Sequence, residues 1–339
     1  MNRTKENIER KRKMRRKRRR VNFFRLLIVL VTAGLLISAA LFLGYAVYRW
    51  SSNLYHEYQT MYEEYTDRKD ARQGAIDPKF EGYTNILILG LDEGVDQVYY
   101  GGQNADAIIV MSLENSTGRL RFITIPRDTW VVAPGGQGGR IGTLYKEGGA
   151  PFFVRQVSAL LGISIHQYIA IDMNTFAELI DLLGGIDIYV EEGMDYDDPE
   201  SGLSIHLKQG YQHMDGEAAQ KYLRYRGSDL GDVGRVQRQQ RFLKALYETI
   251  LQIGTVPKLP AIAEVFRNRI DTSAEIFDSA HLANVLRRLS TESPVTIMLP
   301  GNYAPENDTV WIPNHEEIDA RIRELFPETE IVGGNGSSE

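Results

Sequence analysis

Apolar residues in this chain form one long uninterrupted run followed by many short ones. The long run covers residues 26–47, which contain no charged side chain over 22 positions. About 20 apolar residues span a bilayer as a helix, whereas the apolar core of a cleavable signal is shorter, about 7–15 residues. The pattern therefore predicts a retained membrane-spanning helix. Its outer end carries Tyr45, Tyr48 and Trp50, as an interfacial aromatic belt would.

From residue 83 onwards, short apolar runs alternate with longer amphipathic stretches. Six runs have the length of strands, and they lie at 85–90, 107–113, 120–125, 168–171, 186–190 and 295–299. Seven stretches have helical spacing, and they lie at 150–161, 174–183, 217–226, 236–253, 261–268, 279–289 and 315–326. The Gly-rich stretch 133–149 predicts a mobile loop. Interleaved strands and helices indicate an α/β domain with helices on both faces of its sheet.

Charge divides the chain into a basic head and an acidic body. Residues 1–25 contain 13 Lys and Arg, and the rest of the chain has 26 basic and 43 acidic residues, a net charge of −17. Because Lys and Arg beside a membrane span stay in the cytoplasm, we expect a cytoplasmic N-terminus and an extracellular body. A basic run is also typical of nucleic-acid binding. Its position against the span favours membrane topology and anionic lipid instead, so we expect no nucleic-acid partner.

These patterns predict six segments along the chain. They are a basic cytoplasmic tail at 1–25, a transmembrane signal-anchor helix at 26–48, a stalk at 49–82, a catalytic domain at 83–255, C-terminal helices and a strand completing that domain at 256–327, and a disordered tail at 328–339.

The residue types present in the chain argue against several classes of enzyme chemistry. The chain has no cysteine, so it has neither a disulfide nor a thiol nucleophile, and its six histidines lack HExxH-type spacing. A zinc enzyme is therefore disfavoured, and no Ser-His-Asp pattern is evident.

Two aspartates lie at the ends of predicted strands. Asp92 follows the first strand and Asp106 precedes the second. Carboxylates just past strand ends lie where open α/β sheets place their binding sites, although a single Asp there is equally typical of a turn or a cap. Together these two could hold Mg²⁺, which binds one or two carboxylates plus substrate phosphate oxygens.

Arginines are concentrated at two later places. Arg127 ends an apolar run, where a buried charge needs a ligand or a partner such as Asp128. The second place is the segment 221–241, whose arginines have the planar, bidentate chemistry suited to phosphate. These arginines are Arg224, Arg226, Arg235, Arg238 and Arg241. A solvated helix face is the alternative for Arg238 and Arg241, and we expect a helix to end near Arg224 and Arg226.

Acids for a metal and arginines for a pyrophosphate suffice for phosphoryl transfer, which depends mostly on positioning and charge neutralisation. A base for an attacking hydroxyl would then be a carboxylate.

Taken together, the motifs resemble the LytR-CpsA-Psr family. The matching pieces within residues 83–255 are NILILGLDEG, NADAIIVMSL, FITIPRDTWV, RIGTLYKEGG, FAELIDLLGGIDIYV and KYLRYRGSDLGDVGRVQRQQRFL, and RNRIDTS and VTIMLPG extend the resemblance to about residue 327. The resemblance implies a three-layer α/β/α domain with a central mixed sheet and an apolar cleft for a polyprenyl chain. It also implies a Mg²⁺-dependent phosphotransferase that attaches teichoic acid, capsule or related polymers to peptidoglycan and releases polyprenyl phosphate.

The resemblance also implies roles for single residues. Asp92 and Asp106 match the metal-binding acids, one of which would be the base. The pyrophosphate ligands would be Arg127, Arg224 and Arg226, with Arg235, Arg238 and Gln239 from the second arginine-rich stretch. Two positions depart from the family pattern: Asn104 replaces its usual Arg, and Ala107 its frequent Thr. Arg140 or Lys146 could replace the lost phosphate contact.

Two other functions stay open at this point. One is a polyprenyl-pyrophosphate hydrolase that uses water as the acceptor. The other, which Asn104 favours, is a non-enzymatic membrane protein that binds lipid phosphate or regulates.

Overall fold

A computed structural model describes most of this chain beyond residue 76. The described residues are 32, 36, 38–49, 52, 77–92, 104–132, 138–198, 203–225, 231–274, 279–305 and 307–327. Contacts divide the chain into one unit at Met1–Gly74 and another at Ala75–Glu339. The predicted tails at 1–25 and 328–339 lie outside the described residues.

Residues 38–49 are helical, and they form the outer half of the predicted membrane span. The inner half lies mostly outside the described residues. Within the described part of the chain, no helix combines the length and the apolar character that crossing a membrane requires.

The unit at Ala75–Glu339 alternates strands and helices. In chain order these are β1 (Tyr83–Asp92), β2 (Asn104–Glu114), β3 (Leu120–Ile125), β4 (Trp130–Val132), β5 (Gly138–Arg140), α1 (Tyr145–Leu161), β6 (Gln167–Asp172), α2 (Met173–Leu183), β7 (Ile186–Val190), β8 (Met194–Asp198), β9 (Leu203–Leu207), β10 (Gly210–Met214), α3 (Gly216–Arg224), α4 (Gly231–Ile250), α5 (Leu259–Arg269), β11 (Asp271–Thr272), α6 (Ser279–Arg288), β12 (Val295–Met298), β13 (Gly301–Ala304), β14 (Asn307–Pro313) and α7 (His315–Leu325).

A six-stranded mixed sheet in the order β11-β6-β1-β2-β3-β12 forms the centre of this unit. β2 is antiparallel to both β1 and β3, whereas β6 and β12 lie parallel to β1 and β3 respectively. The predicted α/β class with a central mixed sheet is therefore confirmed. The edge strands β11 and β12 come from the C-terminal part of the chain.

Apolar side chains alternate between the two faces of the sheet, as the period of two in a strand dictates. On one face, Leu87 and Leu89 pack with Phe153 of α1 and Ile322 of α7. On the other face, Ile109 and Phe122 pack with Tyr247 of α4. Helices therefore cover both faces, which makes three layers. Each fully buried large apolar side chain stabilises the fold by about 1.5–3 kcal/mol.

A second apolar cluster lies beside the sheet and joins α2, α3 and α4 to the ribbon formed by β7 to β10. Its centre contains Ile186 and Ile188 of β7, Tyr222 of α3 and Phe242 of α4. Of these four strands only β7 is predicted from the sequence. β8 and β10 are rich in polar residues, and β9 alternates apolar and polar residues over only five positions.

The predicted mobile loop at 133–149 is wrong over its second half. Residues 138–149 contain β5, a 3-10 helix at Ile141–Leu144 and the first turn of α1, and residues 133–137 lie outside the described part. One of the glycines that suggested a loop marks a kink instead. Gly149 has a φ of 63° inside α1, a left-handed conformation that favours glycine.

Candidate active site

A β-bulge between β1 and β2 determines where Asp106 lies. Gly90 is opposite Ala107 and Leu91 is opposite Ala105, so Asp106 is the extra residue between two partners. The alternation of side chains changes phase there: Ala105 packs in the cluster of Leu87, whereas Ala107 packs in the cluster on the other face. Bulges redirect side chains and are over-represented next to active sites.

Arg127 connects this bulge to the end of β3. Its Nη1 donates a hydrogen bond of 2.5 Å to Oδ1 of Asp106, and its Nε lies 3.7 Å from Oδ1 of Asp128. Arg127 therefore has two carboxylate neighbours, and Asp106 is the closer one. All three side chains are about one-fifth exposed, which leaves them accessible to a ligand.

The turn after β3 is held by close backbone packing. The amide of Gly142 donates to the carbonyl of Arg127 over 2.9 Å. A Cβ atom at Gly142 would lie 2.8 Å from the carbonyl oxygen of Ala105 and 3.0 Å from the Cβ of Arg127. Only glycine fits this approach. Gly142 therefore packs directly against both Ala105, the neighbour of Asp106, and Arg127.

The beginning of α4 adds an acid and an arginine to this region. Asp232 forms an ion pair with Arg235 on the next turn of the helix, and the Arg235 side chain is 3% exposed. Burial by itself would lower the pKa of Arg127, but the carboxylates of Asp106, Asp128 and Asp232 raise it above its ordinary value. The predicted site residues Asp106, Arg127 and Arg235 therefore share one electrostatic environment with Asp232.

Tyr303 fixes the first turn of α4 from the C-terminal part of the chain. Its hydroxyl accepts a hydrogen bond of 3.3 Å from the backbone amide of Val233, one of the amides that a helix N-terminus leaves without a partner inside the helix. Its ring packs edge-on against Trp311. Sequence reasoning missed Tyr303, because no local pattern announces a contact 70 residues away.

Arg238 contacts the end of α3. Its Nη2 donates to the backbone carbonyl of Tyr225, and its guanidinium lies 5.2 Å from the centre of the Tyr225 ring. Burial lowers the pKa of Arg238. The alternative of a solvated helix face is wrong for Arg238, which is 3% exposed. Arg241 is partly exposed and forms an ion pair with Glu191.

The remaining predicted residues lie around these groups. Arg224 is half-buried and is the last residue of α3, so the helix ends where the sequence predicts. Gln239 is buried on α4. Arg226 lies outside the described residues. The backbone of Asp92 ends β1 opposite Asn104, but its side chain is outside the described part.

Asn104 occupies the position of the family arginine. Its side chain is half-buried, and its Oδ1 has no hydrogen-bond partner among the described residues. Arg140, one of the two suggested replacements, lies with Nη1 3.3 Å from Oδ1 of Asp128 and donates from Nη2 to Thr309 over 2.7 Å. It is thus one carboxylate away from Arg127. Lys146, the other suggestion, is exposed.

Asp232 is a further residue to which sequence reasoning assigned no role. An available signal was its position three residues before Arg235 on a helix, where opposite charges meet. Across the described ranges, no group of three or more His, Asp or Glu side chains is placed to hold a metal ion. Any metal here would need substrate oxygens to complete its coordination.

The arrangement has the chemistry of a phosphate-binding centre. Arginine side chains, a helix N-terminus and carboxylates converge from β2, the end of β3 and the start of α4. Guanidinium groups bind phosphate oxygens, and a helix N-terminus contributes partial positive charge. The carboxylates of Asp106 and Asp232 hold the guanidinium groups of Arg127 and Arg235 in place.

Known proteins are similar to this chain over most of its length. The LytR_cpsA_psr family model matches residues 50–326. The teichoic acid transferase TagV of Bacillus subtilis, whose full name is polyisoprenyl-teichoic acid–peptidoglycan teichoic acid transferase, is 27% identical over 277 residues, which cover 79% of this chain and 69% of TagV. Its crystal structure matches with a TM-score of 0.61 over 74% of this chain and 99% of that chain.

Two other relatives carry different names. Regulatory protein MsrR of Staphylococcus aureus is 30% identical over 198 residues, 58% of each protein. The probable cell wall biosynthesis protein LcpB of Corynebacterium glutamicum is 30% identical over 244 residues, 67% of this chain and 58% of LcpB. The chain therefore matches less than two thirds of the length of these two relatives.

Proposed function

This chain belongs to the LytR_cpsA_psr family, and from that premise we propose that it transfers a polyprenyl-pyrophosphate-linked anionic glycopolymer, of teichoic acid or capsule type, to peptidoglycan. The polyprenyl phosphate is released. The similarity to TagV, a teichoic acid transferase by name, supports the reaction class.

The convergence of Arg127, Asp106, Asp232 and Arg235 is the observation that carries this proposal. Residues 106 and 235 are far apart in the chain, yet both belong to one group of opposite charges on the sheet and α4. A pyrophosphate needs several fixed positive groups, because charge neutralisation and positioning dominate phosphoryl transfer. Asp232 connects the two arginines, because it pairs with the buried Arg235 and its charge also acts on Arg127.

The proposed transfer breaks one phosphorus–oxygen bond and forms another. An acceptor hydroxyl on peptidoglycan attacks the phosphorus attached to the polymer sugar, and the bridging oxygen leaves with polyprenyl phosphate. Arg127, Arg224, Arg226 and Arg235 neutralise the phosphate oxygens. The hydroxyl proton passes to a carboxylate, Asp92 or Asp106. Arg238, which is bonded to Tyr225, acts by holding the segment between Arg224 and Arg226.

We propose that Mg²⁺ binds between the two aspartates Asp92 and Asp106. Asp92 is opposite Asn104 in the register, and Asp106 lies two residues further along β2 in the bulge, so both acids belong to the same end of one strand pair. When bound there, Mg²⁺ would neutralise charge on the phosphate oxygens.

The decisive experiment supplies the full chain with a polyprenyl-pyrophosphate-linked polymer, Mg²⁺ and purified peptidoglycan. A covalent polymer–peptidoglycan adduct supports the proposal. Cleavage of the donor with water, without an adduct, would show the hydrolase instead. Tight binding of the donor without turnover would favour a regulatory protein, which is the second candidate because the relative MsrR is named a regulatory protein.

We also propose that residues 26–48 anchor the protein in the cell membrane with its C-terminal domain outside. The uncharged run at 26–47 and the 13 basic residues before it support this topology. Protease added to intact, wall-stripped cells should digest the domain and spare the N-terminal tail. Protection of the domain would show the opposite orientation.

A further inference from the structure

Strands β7 to β10 form a two-stranded ribbon with two distinct sides. β7 pairs with β10, and β8 pairs with β9 further along the same two segments. One side of the ribbon packs into the second apolar cluster through Ile186, Ile188 and Ile205. Because side chains alternate along a strand, the residues between these point away from the cluster. We call this surface the outward side, and it consists of Asp187, Tyr189, Asp195, Asp197, Ser204, His206, Tyr211 and His213.

Aromatic rings occupy the part of the outward side on β7 and β10. The rings of Tyr189 and Tyr211 pack edge to face with their centres 5.0 Å apart. Tyr211 is 85% exposed and Tyr189 is 44% exposed. In the next pair, Nδ1 of His213 lies 2.8 Å from Oδ1 of Asp187. Packing of the second cluster does not use these rings.

The part of the outward side on β8 and β9 continues this series with polar groups. Nδ1 of His206 lies 2.5 Å from Oδ1 of Asp195, and the hydroxyl of Ser204 donates to Asp197 over 2.6 Å. Both pairs are directly opposite in the strand register. At about 3.3 Å per residue, the outward side extends roughly 30 Å from Asp187 to Asp197, which suits an extended polymer better than a small ligand.

The chemistry of these pairs fits a chain of sugars. The negative face of an aromatic ring attracts the C–H groups on one face of a pyranose. Carboxylates, imidazoles and a hydroxyl bond to sugar hydroxyl and amide groups. Tyrosine is enriched where binding needs a rigid surface that is apolar on its face and polar at its tip.

Charge decides which sugar polymer fits. The four pairs contain three carboxylates and neither Lys nor Arg, and the segments that join them add the exposed Glu191, Glu192 and Lys208, so carboxylates outnumber cations on this surface. Such a surface repels an anionic, phosphate-rich polymer and the surface of an anionic membrane. It does not repel a backbone of uncharged, N-acetylated amino sugars.

We propose that the outward side of this ribbon binds the glycan strands of peptidoglycan and so holds the acceptor. The identity of the ligand as acceptor rests on the proposed function. Binding of the glycan itself rests on the tyrosine pair and on the charge of the surface.

The test compares binding of the full chain to sacculi from which phosphate-containing polymers have been removed. The double variant Tyr189→Ser/Tyr211→Ser should lose about tenfold or more in affinity, because each ring contributes stacking. Tyr196→Ser is the matched control, since Tyr196 is also partly exposed but is opposite Ile205, on the other side of the ribbon. Equal affinity of the double variant and wild type would overturn the proposal.

Two further binding measurements test the same proposal. Tyr211→Ser alone removes the most exposed ring without touching the apolar cluster, so it should fold normally and lose about threefold in affinity. Sacculi that retain their anionic polymers should bind more weakly than stripped ones. Equal or tighter binding to the unstripped sacculi would refute the argument from charge.

Donor binding and adduct formation distinguish a failure of the glycan-binding proposal from a failure of the proposed transferase activity. Binding of the polyprenyl-pyrophosphate donor, measured without peptidoglycan, should be the same for the double variant and wild type. If wild type binds sacculi through the tyrosines but forms no adduct, the transferase proposal fails and the glycan surface stands. If wild type forms adducts and the double variant depends on peptidoglycan concentration as wild type does, the glycan surface is wrong.

Discussion

Arg127 donates a 2.5 Å hydrogen bond to Asp106, 21 residues before it, and this bond joins the end of one strand to a bulge in its neighbour. The pair either holds the sheet together or keeps two reactive side chains in position. Variants of the two residues distinguish the structural role from the catalytic one.

Arg127→Met and Asp106→Asn should each lower the free energy of unfolding by roughly 1–3 kcal/mol, because each removes the closest opposite charge of a partly buried side chain. The double variant should recover part of that loss, since neither charge remains. Polymer transfer should fall at least about a hundredfold in all three. Denaturation by urea and an adduct assay measure the two effects. Transfer that recovers together with stability would show a purely structural pair.

Arg238→Met should lower the free energy of unfolding by about 1–3 kcal/mol, because the carbonyl of Tyr225 loses its donor. Transfer should fall about tenfold through misplacement of the neighbouring arginines. Lys244→Met is the control, because Lys244 lies six residues further along α4 and is exposed. Its stability should change by less than about 1 kcal/mol. Equal effects of the two variants would contradict the role of Arg238.

Asn104→Arg should raise the rate of transfer by about tenfold, because a guanidinium there would add one charge-assisted contact to phosphate. Asn104→Gln, which keeps the amide, is the comparison and should change little. Initial rates at limiting donor measure the effect. A slower Asn104→Arg enzyme of normal stability would mean that this chain has no phosphate group at that position.

Chelation of Mg²⁺ should abolish transfer, and titration with Mg²⁺ should restore it. Asp106→Asn should need a higher Mg²⁺ concentration, because it removes one of the two assigned carboxylates. Glu292→Gln, which changes an exposed acid paired with Arg119, should leave the titration as in wild type. Full activity in a chelator would remove the metal from the mechanism.

The surroundings of Asp172 predict that the free energy of unfolding depends on pH. Burial acts to raise the pKa of this carboxyl, but hydrogen bonds from the amide and hydroxyl of Thr175 lower it below its usual value. The folded pKa is therefore below the unfolded one. The resulting stability is present above the unfolded pKa and is lost as the pH falls through the folded pKa.

Asp172→Ala should accordingly cost about 1 kcal/mol at neutral pH, through loss of the cap of α2, and less in acid. Asp172→Ser keeps a cap that does not titrate, so its stability relative to wild type should improve as the pH falls. Urea denaturation at several pH values measures both. A cost for Asp172→Ala that stays constant with pH would show that the carboxylate charge contributes nothing.

Local patterns predicted much of this fold because burial on one or both faces imposes a period on the sequence. The runs that became β1, β3, β7 and β12 and the amphipathic stretch that became α2 were all recognisable. The strands β8 to β10 were not, because β8 and β10 consist mostly of polar residues and Tyr, and β9 alternates apolar and polar residues over only five positions.

The sequence by itself determined the α/β class, the inventory of acids and arginines, and the end of α3 near Arg224 and Arg226, since each depends on neighbours a few residues away. Only the tertiary structure decided that Asp106 occupies a bulge, that Arg127 bonds to it, and that Arg238 holds Tyr225. It also decided that Tyr189 and Tyr211 share one exposed side of a ribbon. These relationships depend on which strands and helices pair across long stretches of chain. Strand register and helix packing set them, and no local pattern encodes either.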